Sequence, residues 1–171
     1  MKTGVRRVVA LIVLAADSVA ADAQSEVGLW LGRTSDAEET DVVRLTYRRS
    51  LKVGGRDWWW PQYLQLGAGV WRVPDFTGPT RRMDVSITPV WRYEGAHAYV
   101  EGGFGAYVLS KTVNNDATSL PTSFQFGSHV GTGLVLKNAS VGVAFQHLSN
   151  AGIKQPNGGI NFYLATVSLE L

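Results

Sequence analysis

The chain has no cysteine among its 171 residues, so an exported form gains no disulfide support. That handicaps a small secreted soluble domain. It leaves a closed barrel untouched, because every strand there is tied to its neighbours by ladder bonds. No stretch reaches the roughly 20 apolar residues a membrane-spanning helix needs, which excludes a helical membrane protein. An excess of one charge is also lacking: 16 Lys and Arg face 14 Asp and Glu, a formal net charge of +2. Such a balance leaves no footprint for nucleic acid, and none is expected as a partner. The three histidines, His97, His129 and His147, fall on separate segments without ligand spacing. A metal site needs clustered His, Cys or carboxylate groups, so neither metal nor cofactor is expected. What is abundant is glycine, 19 residues, and aromatics, six each of Trp, Tyr and Phe. That composition favours β structure over helix.

The length suggests one domain. The N-terminus reads as a secretory signal: Lys2, Arg6 and Arg7 precede an apolar run from Val8 to Ala16, and Ala21-Asp22-Ala23 supplies small residues for cleavage before Gln24. The expected organisation is therefore a signal peptide over 1–23 and a barrel over 24–171. Without the signal the net charge is +1.

The rest alternates between apolar and polar with a period of two, in segments of about ten residues separated by turn residues. Leu64, Leu66, Ala68 and Val70 oppose Gln65, Gly67, Gly69 and Trp71. Met83, Val85, Ile87, Pro89 and Trp91 oppose Asp84, Ser86 and Thr88. Val141, Val143 and Phe145 oppose Gly142, Ala144 and Gln146. Strands are expected near 26–33, 41–51, 62–74, 82–94, 97–109, 122–136, 139–150 and 160–171. Eight is an even number, as bacterial membrane barrels require. Gly95-Ala96 and Lys137-Asn138 read as tight periplasmic hairpins. Residues 34–40, 75–81, 110–121 and 151–159 read as longer outer loops, and 52–61 as a long periplasmic connection. The fold class expected is all-β, an eight-stranded antiparallel transmembrane barrel in the outer membrane. Aromatics near the strand ends suggest two interfacial girdles: Trp58, Trp59, Trp60, Trp91, Tyr93 and Tyr99 below, and Trp30, Trp71, Phe76, Phe162 and Tyr163 above. A soluble barrel with an aromatic core is the alternative. The many Gly, Ser, Thr, Gln and Asp residues on one face favour lipid outside.

Chemistry is concentrated near the end of the seventh segment. His147 and Ser149 are two apart on a strand and so share a face, the one carrying Val141, Val143 and Phe145. If those three touch lipid, the imidazole and the hydroxyl also point outward, at the height of the outer-leaflet head groups. A hydroxyl needs an adjacent base to become a nucleophile, and the base needs a third group to fix its tautomer. Asn161, at the start of the next strand and on the outward parity with Tyr163, Ala165 and Val167, is the candidate.

The run His147-Leu148-Ser149-Asn150-Ala151-Gly152-Ile153-Lys154-Gln155-Pro156-Asn157-Gly158-Gly159-Ile160 resembles the C-terminal signature of the outer-membrane lipid A 3-O-deacylases, the PagL family. Tyr99 to Gly105 and Phe124 to Gly133 are similar as well. The resemblance is clear over the C-terminal half. It implies an eight-stranded barrel and a serine hydrolase that releases a fatty acid from the 3-position of lipid A, with lipopolysaccharide and outer-membrane lipids as partners. On the matching positions Ser149 is the nucleophile, His147 the base and Asn150 an asparagine needed for activity. The turn around Gly152 and Asn157 is where an oxyanion hole is expected. One departure stands out: the family has a glutamate where this chain has Asn161. An asparagine oxygen can accept the same hydrogen bond from histidine but supplies no charge. Asp116 is the only acid in the third outer loop, and no spacing links it to His147.

The remaining polar residues read more plainly. His129 falls on the inward parity and is expected to be hydrogen-bonded there. Glu101 also points inward, toward a basic partner the sequence does not name. Arg72, Arg81, Arg82, Lys111 and Lys154 fall near the outer rim, and Arg48, Arg49, Lys52, Arg56 and Lys137 near the inner one, as a solvated rim would have them. Three function classes follow: an esterase acting on lipid A, a non-catalytic or impaired outer-membrane barrel, and a soluble periplasmic lipid-binding barrel.

Overall fold

The computed structural model describes residues 24–34, 40–51, 59–73, 80–114 and 119–171. The expected signal peptide, Trp58 and Phe76 of the girdles, Lys52 and Arg56 of the inner rim, and Asp116 lie outside these residues. The strands are β1 (Ser25–Arg33), β2 (Asp41–Ser50), β3 (Tyr63–Val73), β4 (Thr80–Glu94), β5 (Ala98–Leu109), β6 (Val113–Asn114), β7 (Ser119–Leu120), β8 (Phe124–Val135), β9 (Ala139–Ser149) and β10 (Ile160–Glu170). Eight of them close a barrel in the order β1-β10-β9-β8-β5-β4-β3-β2, and every neighbouring pair is antiparallel. Sequential strands pair directly, and β1 meets β10 from Glu26↔Glu170 to Arg33↔Tyr163, so no edge remains. The sequence-expected strands and these agree to within two residues at each end. β6 and β7 form a separate two-stranded ribbon inside what the sequence suggests is a plain outer loop.

One end of the barrel is cut short by tight turns, closed by Gly95 N–H to Ala98 O and Leu136 N–H to Ala139 O, each 2.8 Å. The other end carries four of the longer connections, while the one between β2 and β3 lies with the tight turns. Between them the outer wall is apolar: Leu45, Val85, Val100, Val130, Val143 and Leu169 are all exposed. The lumen is polar over much of its length. This is the inverse of a soluble barrel, which would not present such a continuous apolar band to water.

Glycine and side-chain volume together fill the narrow interior. Toward the tight-turn end, Arg48 donates to both carboxylate oxygens of Glu101 at 2.8 and 2.7 Å and to Gln65 Oε1 at 2.6 Å. Glu26 lies 3.8 Å from Arg48 and from Arg92, and the Arg92 guanidinium stacks over Tyr99 at 3.8 Å. Further along, Arg44 donates to Asp84 at 3.1 and 3.2 Å and to Gln146 Oε1 at 2.7 Å. Trp71 Nε1–H reaches the same Asp84 at 2.6 Å, and Gln146 Nε2–H donates to Tyr107 at 2.8 Å. Bidentate, charge-assisted bonds of this kind are what allow ions to sit out of water. At the long-loop end an apolar cluster that includes Trp30, Trp71, Leu109, Val113, Leu120, Leu148, Ile160 and Phe162 plugs the mouth.

The expectations for six residues change here. Trp30, Trp71 and Phe162 are fully buried in the lumen and Tyr99 nearly so, rather than lying in the girdles. Their parity is inward, and an eight-stranded mouth has to be filled by large side chains. Trp59, Trp60, Trp91, Tyr93 and Tyr163 do face outward. Arg48 is a buried partner of Glu101 rather than a rim cation. His129 is inward as expected, but its ring nitrogens make no hydrogen bond within the described residues: the ring packs edge-on against Trp30 at 5.2 Å, with Nε2 3.8 Å from Glu101.

Candidate active site

Strand β9 alternates cleanly. Val141, Val143 and Phe145 are exposed on the wall while Ala144 and Gln146 are buried inside. His147 and Ser149 continue the outward set and are partly buried. Neither side chain enters the lumen. Together with Phe104, Phe126, Ser128 and Ala151 they line a wall pocket of about 200 Å³ at the long-loop end.

Register explains the company they keep. In antiparallel pairs, directly opposed residues bring their side chains together on one face. His147 lies opposite Asn161 on β10 and Ser128 on β8, and Ser149 lies opposite Phe126. The His147 Nδ1 to Asn161 Oδ1 distance is 2.7 Å. An amide oxygen only accepts, so in this pairing Nδ1–H donates, and in the neutral ring the lone pair is then on Nε2. Phe104 and Phe126 stack with ring centroids 5.8 Å apart, and Phe124 packs edge-on against Phe126 at 5.0 Å, walling the pocket on the β5 side.

The outward pair is backed from inside. Gln146 is tied to Arg44 and Tyr107, and Leu148 sits fully buried in the apolar plug. Asn150, also fully buried, organises the turn that follows. Its Nδ2 donates to Lys154 O at 2.9 Å, its Oδ1 accepts from Gly152 N–H at 2.9 Å, and its own N–H donates to Asn157 Oδ1 at 3.2 Å. Of the expected oxyanion residues, Gly152 has its N–H engaged within the turn, and Asn157 accepts there through Oδ1 from the Asn150 N–H. Of the turn residues, Ala151 lines the pocket, in the left-handed region with φ of 53°.

Sequence reasoning missed Gly159. It is buried with φ of +67°, and a Cβ built there would stand 2.7 Å from His147 Cε1 and 3.3 Å from Nε2. The glycine lets the turn close against the imidazole edge. Its signal was present as one of two adjacent glycines before β10. Ser128, which flanks His147 on the side away from Asn161, was also missed. Among the described residues no three His, Cys, Asp or Glu side chains gather as metal ligands, and His97 sits at a tight turn on the opposite end.

Residues 41–170 match a family model described as Lipid A 3-O-deacylase (PagL). A protein named Lipid A deacylase PagL from Pseudomonas aeruginosa is 32% identical over 173 residues, covering 92% of this chain and 95% of that one. A protein of the same name from Bordetella bronchiseptica is 35% identical over 108 residues, covering 62% of this chain and 60% of that protein's length. Among solved structures, the crystal structure of the outer membrane enzyme PagL superposes with a TM-score of 0.68 at 27% identity, covering 85% of this chain and 99% of that one. The N-terminal β-barrel domain of Pseudomonas aeruginosa OprF, with a TM-score of 0.55 at 11% identity over 86% of this chain and 97% of that one, shares the fold alone.

Proposed function

The chain belongs to the lipid A 3-O-deacylase (PagL) family of outer-membrane barrel enzymes, and on that premise we propose that it is a serine esterase cutting the 3-position acyl ester of lipid A. The organisation proposed is a cleaved segment 1–23 and a catalytic barrel 24–171. The reading rests on one observation: the outward His147, its Nδ1 held by Asn161, shares a wall pocket with Ser149.

In the proposed reaction His147 Nε2 takes the Ser149 hydroxyl proton as Oγ attacks the ester carbonyl. The new C–O bond leaves a tetrahedral oxyanion, for which the Asn157 side-chain amide, as the sequence suggests, and the Ala151 main-chain N–H at the pocket wall are the candidate donors. Collapse breaks the bond to the sugar oxygen, which receives the proton from Nε2. Water, activated by the same imidazole, then releases the 3-hydroxy fatty acid and frees Ser149. Asn161 fixes ring and tautomer, while Asn150, Gly152 and Asn157 hold the turn against the pocket. A site on the wall suits a substrate already in the outer leaflet, since no cleft has to swallow a lipid.

Mass spectrometry of lipid A from cells expressing the natural protein or Ser149→Ala tests this. Loss of one 3-hydroxy acyl chain with the natural protein alone is expected, with Ser149→Ala slowed roughly 10³-fold or more. Unchanged lipid A in both overturns the esterase. Asn161 favours a second reading, an impaired barrel, because an amide stabilises the imidazolium less than a carboxylate does. A natural protein without activity that Asn161→Glu brings to life would establish that second reading.

A further inference from the structure

At the long-loop end one register row of charges crosses the outer wall. Arg33 on β1, Asp41 on β2, Arg72 on β3 and Arg81 on β4 each lie opposite the next, on the outward parity. Sign alternates over the first three, and Arg33 and Asp41 close an ion pair at 2.7 Å. The alternation then fails. Arg72 and Arg81 are directly opposed and both exposed, and among the described residues neither guanidinium meets an acid or any other acceptor. Arg82, by contrast, is engaged: its Nε–H donates to Thr112 O at 3.4 Å and an Nη1–H to Arg81 O at 3.3 Å. The next outward row toward the middle of the barrel is wholly apolar, with Leu31, Val43, Val70 and Met83 all exposed.

Like charges directly opposite on a sheet face destabilise the pair. An anion between them replaces that repulsion with charge-assisted bonds, and the guanidinium fork matches phosphate. The apolar row beneath narrows the choice. Inorganic phosphate would use the charges alone, whereas a phosphorylated lipid uses both. In the closed strand order β3 stands four places from β9 either way round, and β4 three by the shorter way. At about 4.8 Å per step, roughly 14–19 Å of wall separates the pair from Ser149.

We propose that Arg72 and Arg81 seat the phosphate of a second outer-leaflet glycolipid, a molecule other than the one presented to Ser149. Its acyl chains lie against Val70 and Met83. The seat needs the barrel to stand in the outer membrane and does not depend on the esterase reading. It fixes a lipid on one side of the barrel while the side bearing His147 stays open to exchange.

The probe is lipid A bearing both phosphates, offered to the purified Ser149→Ala barrel in detergent micelles so that no ester is lost. Native mass spectrometry counts the lipids retained. Adding Arg72→Gln and Arg81→Gln is expected to remove one retained lipid, with its affinity reduced at least tenfold. Adding Lys137→Gln and Lys154→Gln, which removes the same charge elsewhere, should remove none. Lipid A without phosphates, or phosphatidylglycerol, should not fill the place. Lipid A should also raise the urea midpoint of the Ser149→Ala barrel more than that of the arginine variant, since a ligand stabilises the state it binds. Heat-dependent gel mobility verifies folding, and Arg81→Gln alone, which abolishes the opposed pair with one change, should show the same loss. Equal retention with and without the two arginines overturns the seat, as does an equal loss in the lysine variant. Dephosphorylated lipid A held as well overturns phosphate recognition, and phosphatidylglycerol held as tightly overturns the glycolipid as occupant.

Discussion

At the scale of single residues, the site turns on an amide where the resembling family has an acid. Asn161 fixes the tautomer through its oxygen, so the cost of the substitution is the missing charge alone. A charge-assisted hydrogen bond is roughly twice as strong as a neutral one. Asn161→Glu is therefore expected to raise kcat about tenfold with KM little changed, read in steady-state ester hydrolysis. Gly159→Ala should act in the opposite direction. Its Cβ would crowd His147 Cε1, and φ of +67° is unfavourable for alanine by about 1–2 kcal/mol. The expected result is a 10- to 100-fold drop in kcat and slower labelling of Ser149 by a fluorophosphonate, with heat-dependent gel mobility retained. The shared outward face of His147 and Ser149 and the pairing of His147 with Asn161 were legible because a period of two fixes the face and adjacent strands fix the partner. The duties of Gly152, Asn157 and Gly159 were not. They depend on left-handed dihedrals at Ala151, Gly152 and Gly159, and no periodicity encodes those.

At the scale of elements, β9 is held from behind. Arg44 on β2, Trp71 on β3, Asp84 on β4, Tyr107 on β5 and Gln146 on β9 form one hydrogen-bonded network across the lumen. Asp84→Asn leaves a fully buried guanidinium without its counter-charge. Such breaks cost about 3–5 kcal/mol, and a lower urea midpoint with unchanged m-value, followed by tryptophan fluorescence, is the expected outcome. A variant as stable as the natural barrel would remove the network from the account. The strands and their inward sets could be read from alternation, Asp84 and Gln146 included. The pairings could not, because partners such as Arg44 and Gln146 lie 102 positions apart and meet only once the barrel closes. The same gap put Arg48 on a rim when its guanidinium reaches Glu101 inside.

At the scale of the whole molecule, the distribution of polarity is reversed, with ions in the lumen and aliphatic side chains on the wall. The eight-stranded order was legible since each sequential pair is also a spatial pair. The apolar plug was misread: aromatics at the mouth were judged by height along the barrel, although parity assigns Trp30, Trp71 and Phe162 to the inside. A reaction centre on the wall also fixes how enzyme and substrate find each other. On the proposed chemistry they meet by sideways diffusion in a two-dimensional sheet, so mole fraction in the film, and not molarity in the tube, governs the encounter rate. Diluting the glycolipid with an inert phospholipid at constant bulk concentration should slow turnover in proportion, whereas diluting the whole suspension with buffer should leave the rate per enzyme unchanged.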